Sequence, residues 1–371
     1  MLRTRSFLWL AIIFLLLVCT ACQHQNTDNS AQSSIAATSG NDSAQHIQRT
    51  LDTNLSINAE VSAPSNVEKL NTLLVNPLKM NTQQVQALKT QLISNSNITQ
   101  NNHGFIQTVD GKELFNGTNN LNFHTKKFTY IKPVFCFLPN ELYYNADKFK
   151  RNQDLSFMPY QKAVEEVKIA LTSLGISLDD KVETYSLDYQ TMQAQEKIKK
   201  ANGELTDPRD GSITLKDRWS EEDNCYFMIF RSSLDYVPVY PKSHGHVENN
   251  TLVSSDYIYA CYSKDGLEYL SINFPYQKTS IDQKDMKIIS VEEALAAVKR
   301  KYSNVILTDP TTITDIELYY VPTLISQSRD EFRMVPAWCF ELGEGITYGD
   351  GTHQTVPNTV IIDANTGGEI L

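Results

Sequence analysis

Two stretches of this chain repeat each other without a gap. "AVEEVKIALTSLGISLDDKVETYSLDY" (residues 163–189) matches "ALAAVKRKYSNVILTDPTTITDIELYY" (residues 294–320). Val164 falls on Leu295, Val167 on Val298, Leu171 on Tyr302 and Leu187 on Leu318. Apolar residues three and four apart form one face of a helix. After each helix, Tyr185, Leu187 and Tyr189, like Ile316, Leu318 and Tyr320, alternate with the period of a half-buried strand. Ser290, with Glu293 three residues on, has the pattern of a capping box and predicts where the second helix starts.

The copies agree again at their far ends. "DYIYACYSKDGLEYL" (residues 256–270) parallels "PNTVIIDANTGGEIL" (residues 357–371), with Gly266 on Gly367 and Glu268 on Glu369. Each end predicts a strand, a tight turn that wants glycine, and a returning strand. The expected fold class is therefore α+β. It comprises tandem modules of one helix packed on a small antiparallel sheet, preceded by a flexible N-terminal tether. The first copy carries a longer middle loop, residues 197–224, whose charge and turn residues suit a surface insertion. Upstream, residues 67–75 and 82–93 read as helices, with Val85, Leu88 and Leu92 sharing a face in the second. Val109-Asp110-Gly111-Lys112 reads as a turn, and Pro133 to Phe137 as a strand resembling Pro336 to Phe340.

The start of the chain is an address. A basic opening with Arg3 and Arg5, an apolar run and a small-residue junction have the layout of a secretory signal. Its apolar run is short for a bilayer span, which needs about 20 residues. Val18-Cys19-Thr20-Ala21-Cys22 resembles a bacterial lipobox, which makes Cys22 the lipidated residue. Two acyl chains on it suffice for stable anchoring. Residues 23–66 are rich in Asn, Gln, Ser and Thr and read as a disordered polar tether. The remaining boundaries are an N-terminal α+β region over 67–155, a first repeat unit over 156–280 and a second over 281–371.

The chain holds 43 acidic residues against 33 basic ones, which argues against nucleic acid and against docking on anionic lipid by charge. Cys136, Cys225, Cys261 and Cys339 sit among aromatic or β-branched residues with no C-x-x-C spacing, so zinc and redox motifs are not supported. Buried thiols are the plain reading, and Cys225 with Cys261 is the favoured pair if a disulfide forms outside the membrane. His244 and His246 are a candidate metal pair, with His353 or an acidic side chain as a third ligand, against a solvated loop as the alternative. No nucleophile elbow, P-loop, H-E-x-x-H or dinucleotide fingerprint is present in the sequence, and no cofactor is expected. Tyr236, Tyr240, Tyr257, Tyr259, Tyr262, Tyr269 and Tyr276 crowd the first copy. Tyrosine suits protein interfaces, and Tyr257 and Tyr259, together with Trp338, are the candidate interface residues.

The terminal "IDANTGGEI" following "VPAW" resembles the PepSY-type module, which ends in an Asp-Ala-x-Thr-Gly-x-x-Ile pattern. Asp363, Ala364, Thr366, Gly367 and Ile370 match it, over residues 288–371. Residues 157–277 match less fully, with Lys264-Asp265-Gly266 replacing the Asn-Thr-Gly turn. Similar tandem units occur in the YycH/YycI regulators of a cell-wall sensor kinase and in some spore-coat-associated proteins, and the nearest resemblance is to an uncharacterised lipoprotein group of clostridia and their relatives. The resemblance implies binding and regulation without catalysis. In that reading Asp363, Thr366, Gly367 and Gly266 shape turns. The expectation is a non-catalytic, membrane-anchored lipoprotein facing outside a Gram-positive cell, whose partner is another envelope protein such as a sensor kinase or peptidase. A solute or wall-polymer binding lipoprotein is the alternative, and a cell-wall hydrolase comes third.

Overall fold

The structure is a computed structural model. It describes residues 45–370 except 65–66, 81, 94–97, 101–105, 118–119, 139–140, 142, 206–214, 217, 243, 247–250, 254–255, 274 and 326–330. The expected signal sequence, Cys22 and the first part of the expected tether lie outside the described residues.

The chain opens with strands β1 (Gln45–Asp52), β2 (Leu55–Ser62) and β3 (Lys69–Pro77), then helix α1 (Thr82–Ile93). Strands β4 (Ile98–Gln100), β5 (Ile106–Thr108), β6 (Glu113–Asn116) and β7 (Asn120–His124) lead into α2 (Lys126–Val134) and β8 (Lys150–Arg151). The first copy follows as α3 (Tyr160–Ser173), β9 (Glu183–Leu187), α4 (Tyr189–Ala201) and β10 (Cys225–Phe230). Two small ladders, β11 (Ser233–Leu234) with β12 (Val237–Pro238) and β13 (His244–His246) with β14 (Thr251–Val253), precede β15 (Tyr257–Ser263) and β16 (Gly266–Asn273). Then β17 (Tyr276–Lys287) leads to the second copy: α5 (Val291–Ser303), β18 (Thr311–Leu324), β19 (Phe332–Thr347) and β20 (His353–Asp363).

Among the described residues these strands build two large sheets, so the fold is α+β. One runs β1-β2-β18-β19-β3-β17, with β20 also on β19; the other runs β4-β5-β6-β7-β16-β15-β10-β9-β8. Inside both lies the same neighbour order, a helix followed by three strands adjacent in the sheet, although in the first copy α4 and the β11–β14 ladders intervene along the chain. It is α3, β9, β10, β15 in one sheet and α5, β18, β19, β20 in the other. Val164, Val167 and Leu171 of α3 pack on Tyr226, Met228 and Ile258 of the nine-stranded sheet. Leu295, Val298 and Tyr302 of α5 pack on Ile316, Leu318 and Phe340 of the seven-stranded sheet. The α5 capping box forms as its sequence predicts: Glu293 N–H donates to Ser290 Oγ (3.2 Å) and Ser290 N–H to Glu293 Oε2 (2.7 Å).

The two copies differ in facing. Tyr185 and Leu187 point away from α3 and pack with Phe128 and Ile131 of α2 and Met192 of α4, whereas Ile316 and Leu318 point toward α5. Helices therefore cover both faces of the nine-stranded sheet. In β18, Ile313 pairs with Leu342 and Asp315 with Glu341, which leaves Thr314 as an extra residue. One extra residue exchanges the two faces of a strand, so Ile313 before the bulge and Ile316 after it both reach the α5 side.

The structure corrects several expectations. The sheets are not small, because the N-terminal region supplies strands to both. Residues 45–62, expected in the tether, form the β1–β2 hairpin; β2 pairs parallel with β18, burying Leu55, Ile57, Ala59 and Val61. Polar residues alternate along it because one face meets solvent. Residues 69–77 form a strand where a helix was expected. A short apolar run such as Leu73-Leu74-Val75 carries no period, and pairing with β17 and β19 decides its state. Pro133 lies in the last turn of α2, not in a strand, because Phe128, Ile131 and Val134 are spaced to share a helical face. The insertion over 197–224 is not wholly a surface loop. It continues α4, and its Trp219 is buried and donates to Glu196.

Candidate functional site

The seam between the two sheets is where the chain crosses from one to the other. After β10, the backbone of residues 231–233 pairs with the stretch that follows α3. Asp179 N–H donates to the Arg231 carbonyl (2.9 Å) and Ser233 N–H to the Ser177 carbonyl (3.0 Å). The β11–β12 hairpin then leads to the seven-stranded sheet, where Tyr240 N–H donates to the Tyr320 carbonyl (2.9 Å). Val237 and Val239 bury themselves there against Leu73, Tyr320 and Met334.

At this crossing a buried ionic cluster joins the sheets. Arg231 Nη1 lies 2.7 Å from Glu317 Oε2 and Nη2 lies 3.1 Å from Oε1, a two-pronged pairing. The same guanidinium bonds Asp179 and, at 2.7 Å, the Tyr319 hydroxyl, which donates to Glu317 (2.6 Å). Lys181 adds a bond to Glu317 (3.1 Å) and one to Ser62 on β2 (2.6 Å). Burial works against the charge on Arg231, but Tyr319, Glu317 and Asp179 outweigh it and hold its pKa above the ordinary value. Burial likewise opposes charge on Glu317, and Arg231 outweighs it, holding that carboxyl below its usual range. Both ions stay charged, and the cluster acts as a strut between the sheets.

The residues that flank Asp179 and Arg231 in the chain lead into a groove of about 730 Å³, walled by Leu174 and Leu178 after α3, Leu78 before α1, Tyr276 on β17 and the 233–236 turn. The turn is unusual. β11 and β12 pair Leu234 with Val237, leaving a two-residue loop whose central residues, Asp235 and Tyr236, have φ of 44° and 69°. Such loops ordinarily use Asn-Gly or Asp-Gly, because a side chain costs about 1–2 kcal/mol in this region. Asp235 is held by Lys278 of β17 (2.5 Å). Tyr236 packs on nothing comparable: it is 92% exposed at the lip of the groove.

A second cleft, of about 440 Å³, lies between α1, α3 and the β15–β16 turn. Lys127 there is committed to Asp265 (2.7 Å), Ser263 (3.3 Å) and Glu268 (3.3 Å). Its charges are largely matched internally, so it offers less to a ligand than the seam does.

The residues singled out from sequence are scattered. Gly266 (φ 99°) turns β15 into β16, and Gly367 (φ 73°) turns the chain after β20. Asp363 Oδ1 accepts from Asn365 N–H (2.7 Å) and Thr366 N–H (3.0 Å), while Thr366 Oγ1 accepts from Gly368 N–H (3.2 Å). Trp338 is not available as an interface residue: it lies under α5 and donates to the Ile289 carbonyl (2.9 Å). Tyr259 is also buried, stacked on the half-buried Tyr257 at 4.3 Å beneath the α2 side. Cys225 and Cys261 are buried free thiols on adjacent strands; Cys136, after α2, and Cys339, on β19, are also buried and free. Cys225 pairs across with Ser263, and Cys261 with Phe227. His244 and His246 fall on β13, not in a loop, with side chains outside the described residues; His353 bonds Thr347 on the β19–β20 hairpin. Among the described residues no group of three or more His, Cys, Asp and Glu side chains is placed to hold a metal ion. Sequence reasoning did not find Arg231, Asp179, Glu317 or Tyr319, which come from separate segments and carry no spacing signal.

No family model matches this chain, and no curated protein does. Among solved structures it is similar to an uncharacterized protein from Eubacterium rectale, at 14% sequence identity and a TM-score of 0.67. The match covers 88% of this chain and 93% of that one, and what the two share is the fold of a bacterial protein.

Proposed function

We propose that this chain is a non-catalytic, lipid-anchored extracytoplasmic protein that binds and modulates another cell-envelope protein, using the groove at the seam. Tyr236 carries this reading. A tyrosine in a left-handed conformation, wholly exposed beside a groove, costs stability and contributes no core packing. Aromatic residues presented this way supply large contact area at small entropy cost. Asp179, next in the chain to the groove wall Leu178, is tied to Arg231, which lowers the cost of ordering that wall on binding. The PepSY-like ending at Asp363, Thr366 and Gly367 and the lipobox-like Cys22 support regulation at the outer face of a membrane.

A photo-crosslinking residue at position 236, expressed in intact cells, is expected to capture one specific envelope protein, and the Arg231→Met background should weaken the capture. Repeated failure to capture any protein would remove the reading. Cys22→Ser is expected to release the chain from the membrane fraction; retention there would remove the lipid anchor.

The groove's size and its two tyrosines, Tyr236 and Tyr276, also favour a second reading, in which it takes a wall-polymer fragment or another solute. Saturable binding of soluble wall fragments to the purified chain, lost in Tyr236→Ala, would select it.

A further inference from the structure

Asp256 stands immediately before β15, at the point where the sheets meet. It is 1% exposed, and its Oδ1 has no hydrogen-bond partner. The Ser232 hydroxyl donates to its Oδ2, and the phenol of Tyr276 on β17 is near enough to feel its charge. Neither carries a positive charge, although Arg231 is the residue next to Ser232 in the chain. A buried carboxylate with one neutral donor and no cation is poorly solvated as an anion and much better tolerated as a neutral acid. Its place matters more than its burial. Ser232 is followed directly by Ser233, the first residue of the hairpin that lifts Tyr236, and Tyr276 is itself a groove wall.

We infer that Asp256 is a proton-operated latch behind the β11–β12 hairpin: neutral, it lets Ser232 stay packed; ionised, it loosens the hairpin that presents Tyr236. This rests on the groove reading for its purpose but not for its physics. Burial pushes the Asp256 carboxyl up from 3.8 to about 7. The folded acid therefore keeps its proton to a higher pH than the unfolded one. Between about pH 4 and pH 7 the folded state binds more protons, so rising pH through that window favours opening, and above it the loss is complete. The latch closes in acid and relaxes at neutral to alkaline pH, a range that an outward-facing protein can meet.

The experiment is hydrogen exchange on the full chain, without any partner, at about pH 5.5 and about pH 8. Protection factors corrected for intrinsic exchange are followed over residues 232–240. The wild type is expected to lose protection there by about tenfold to a hundredfold on going to the higher pH. The loss should be absent in Asp256→Asn, which fixes the neutral form. Equal pH profiles in the two proteins would overturn the latch. Were the variant not to fold, the wild type decides alone: a flat profile over 232–240, or a loss no greater than that of α5, overturns it. Crosslinking from position 236 is scored separately, so a failed latch and a failed binding groove give different results.

Discussion

At the residue scale, Arg231 is the hub of the ionic strut between the sheets. Its side chain is 14% exposed and ties Asp179 of one half to Glu317 and Tyr319 of the other. Breaking a buried ion pair from one side leaves the remaining charges unmatched, at about 3–5 kcal/mol. Arg231→Met is therefore expected to lower unfolding stability by about 3–5 kcal/mol in urea titration. Arg231→Lys should recover only part of this, since an ammonium cannot reproduce the two-pronged contact with Glu317. A loss below about 1 kcal/mol in Arg231→Met would show that the strut carries little. Glycine at position 266 is a simpler case. Its φ of 99° is closed to other side chains and a Cβ there would meet nothing, so Gly266→Ala isolates the backbone cost of about 1–2 kcal/mol.

At the element scale, the β11–β12 hairpin sets stability against presentation. Glycine tolerates the positive φ that tyrosine resists, so Tyr236→Gly is expected to stabilise the chain by about 0.5–1 kcal/mol by thermal melting. The same change should abolish capture of the partner by a photo-crosslinking residue placed at position 277 on the groove wall. A stabilised variant that still binds would separate the turn from function. The helices tell a complementary story. The 3.6-residue spacing of Val164, Val167 and Leu171, and of Leu295, Val298 and Tyr302, is a local property that any packing partner would exploit. Both helices therefore lie where the repeat places them, and Ser290 caps α5 as its neighbour Glu293 implies. Strand facing was not legible in the same way. Thr314 gives no sign of bulging, yet that one residue decides which side of β18 meets α5.

At the scale of the whole molecule, the pair of sheets is closed by segments far from the repeats. The β1–β2 hairpin covers one edge of β18 and packs Ile47, Leu55 and Ile57 into the α5 core. Deleting residues 45–62 is expected to expose that core and yield aggregated or protease-sensitive protein, whereas deleting residues 23–43 should leave the melting temperature unchanged. Equal melting in both deletions would show that the hairpin is dispensable.

From the amino-acid order alone came the periodic helices, the turn glycines and the outline of a duplicated α+β chain, because each is set by contacts within a few residues. Sheet order, the seam, its ionic strut and the exposed Tyr236 were decided only in three dimensions. The strut alone draws its residues from positions scattered between 62 and 319, and no local pattern records which distant strand will pair with which, or which charges that pairing will bury.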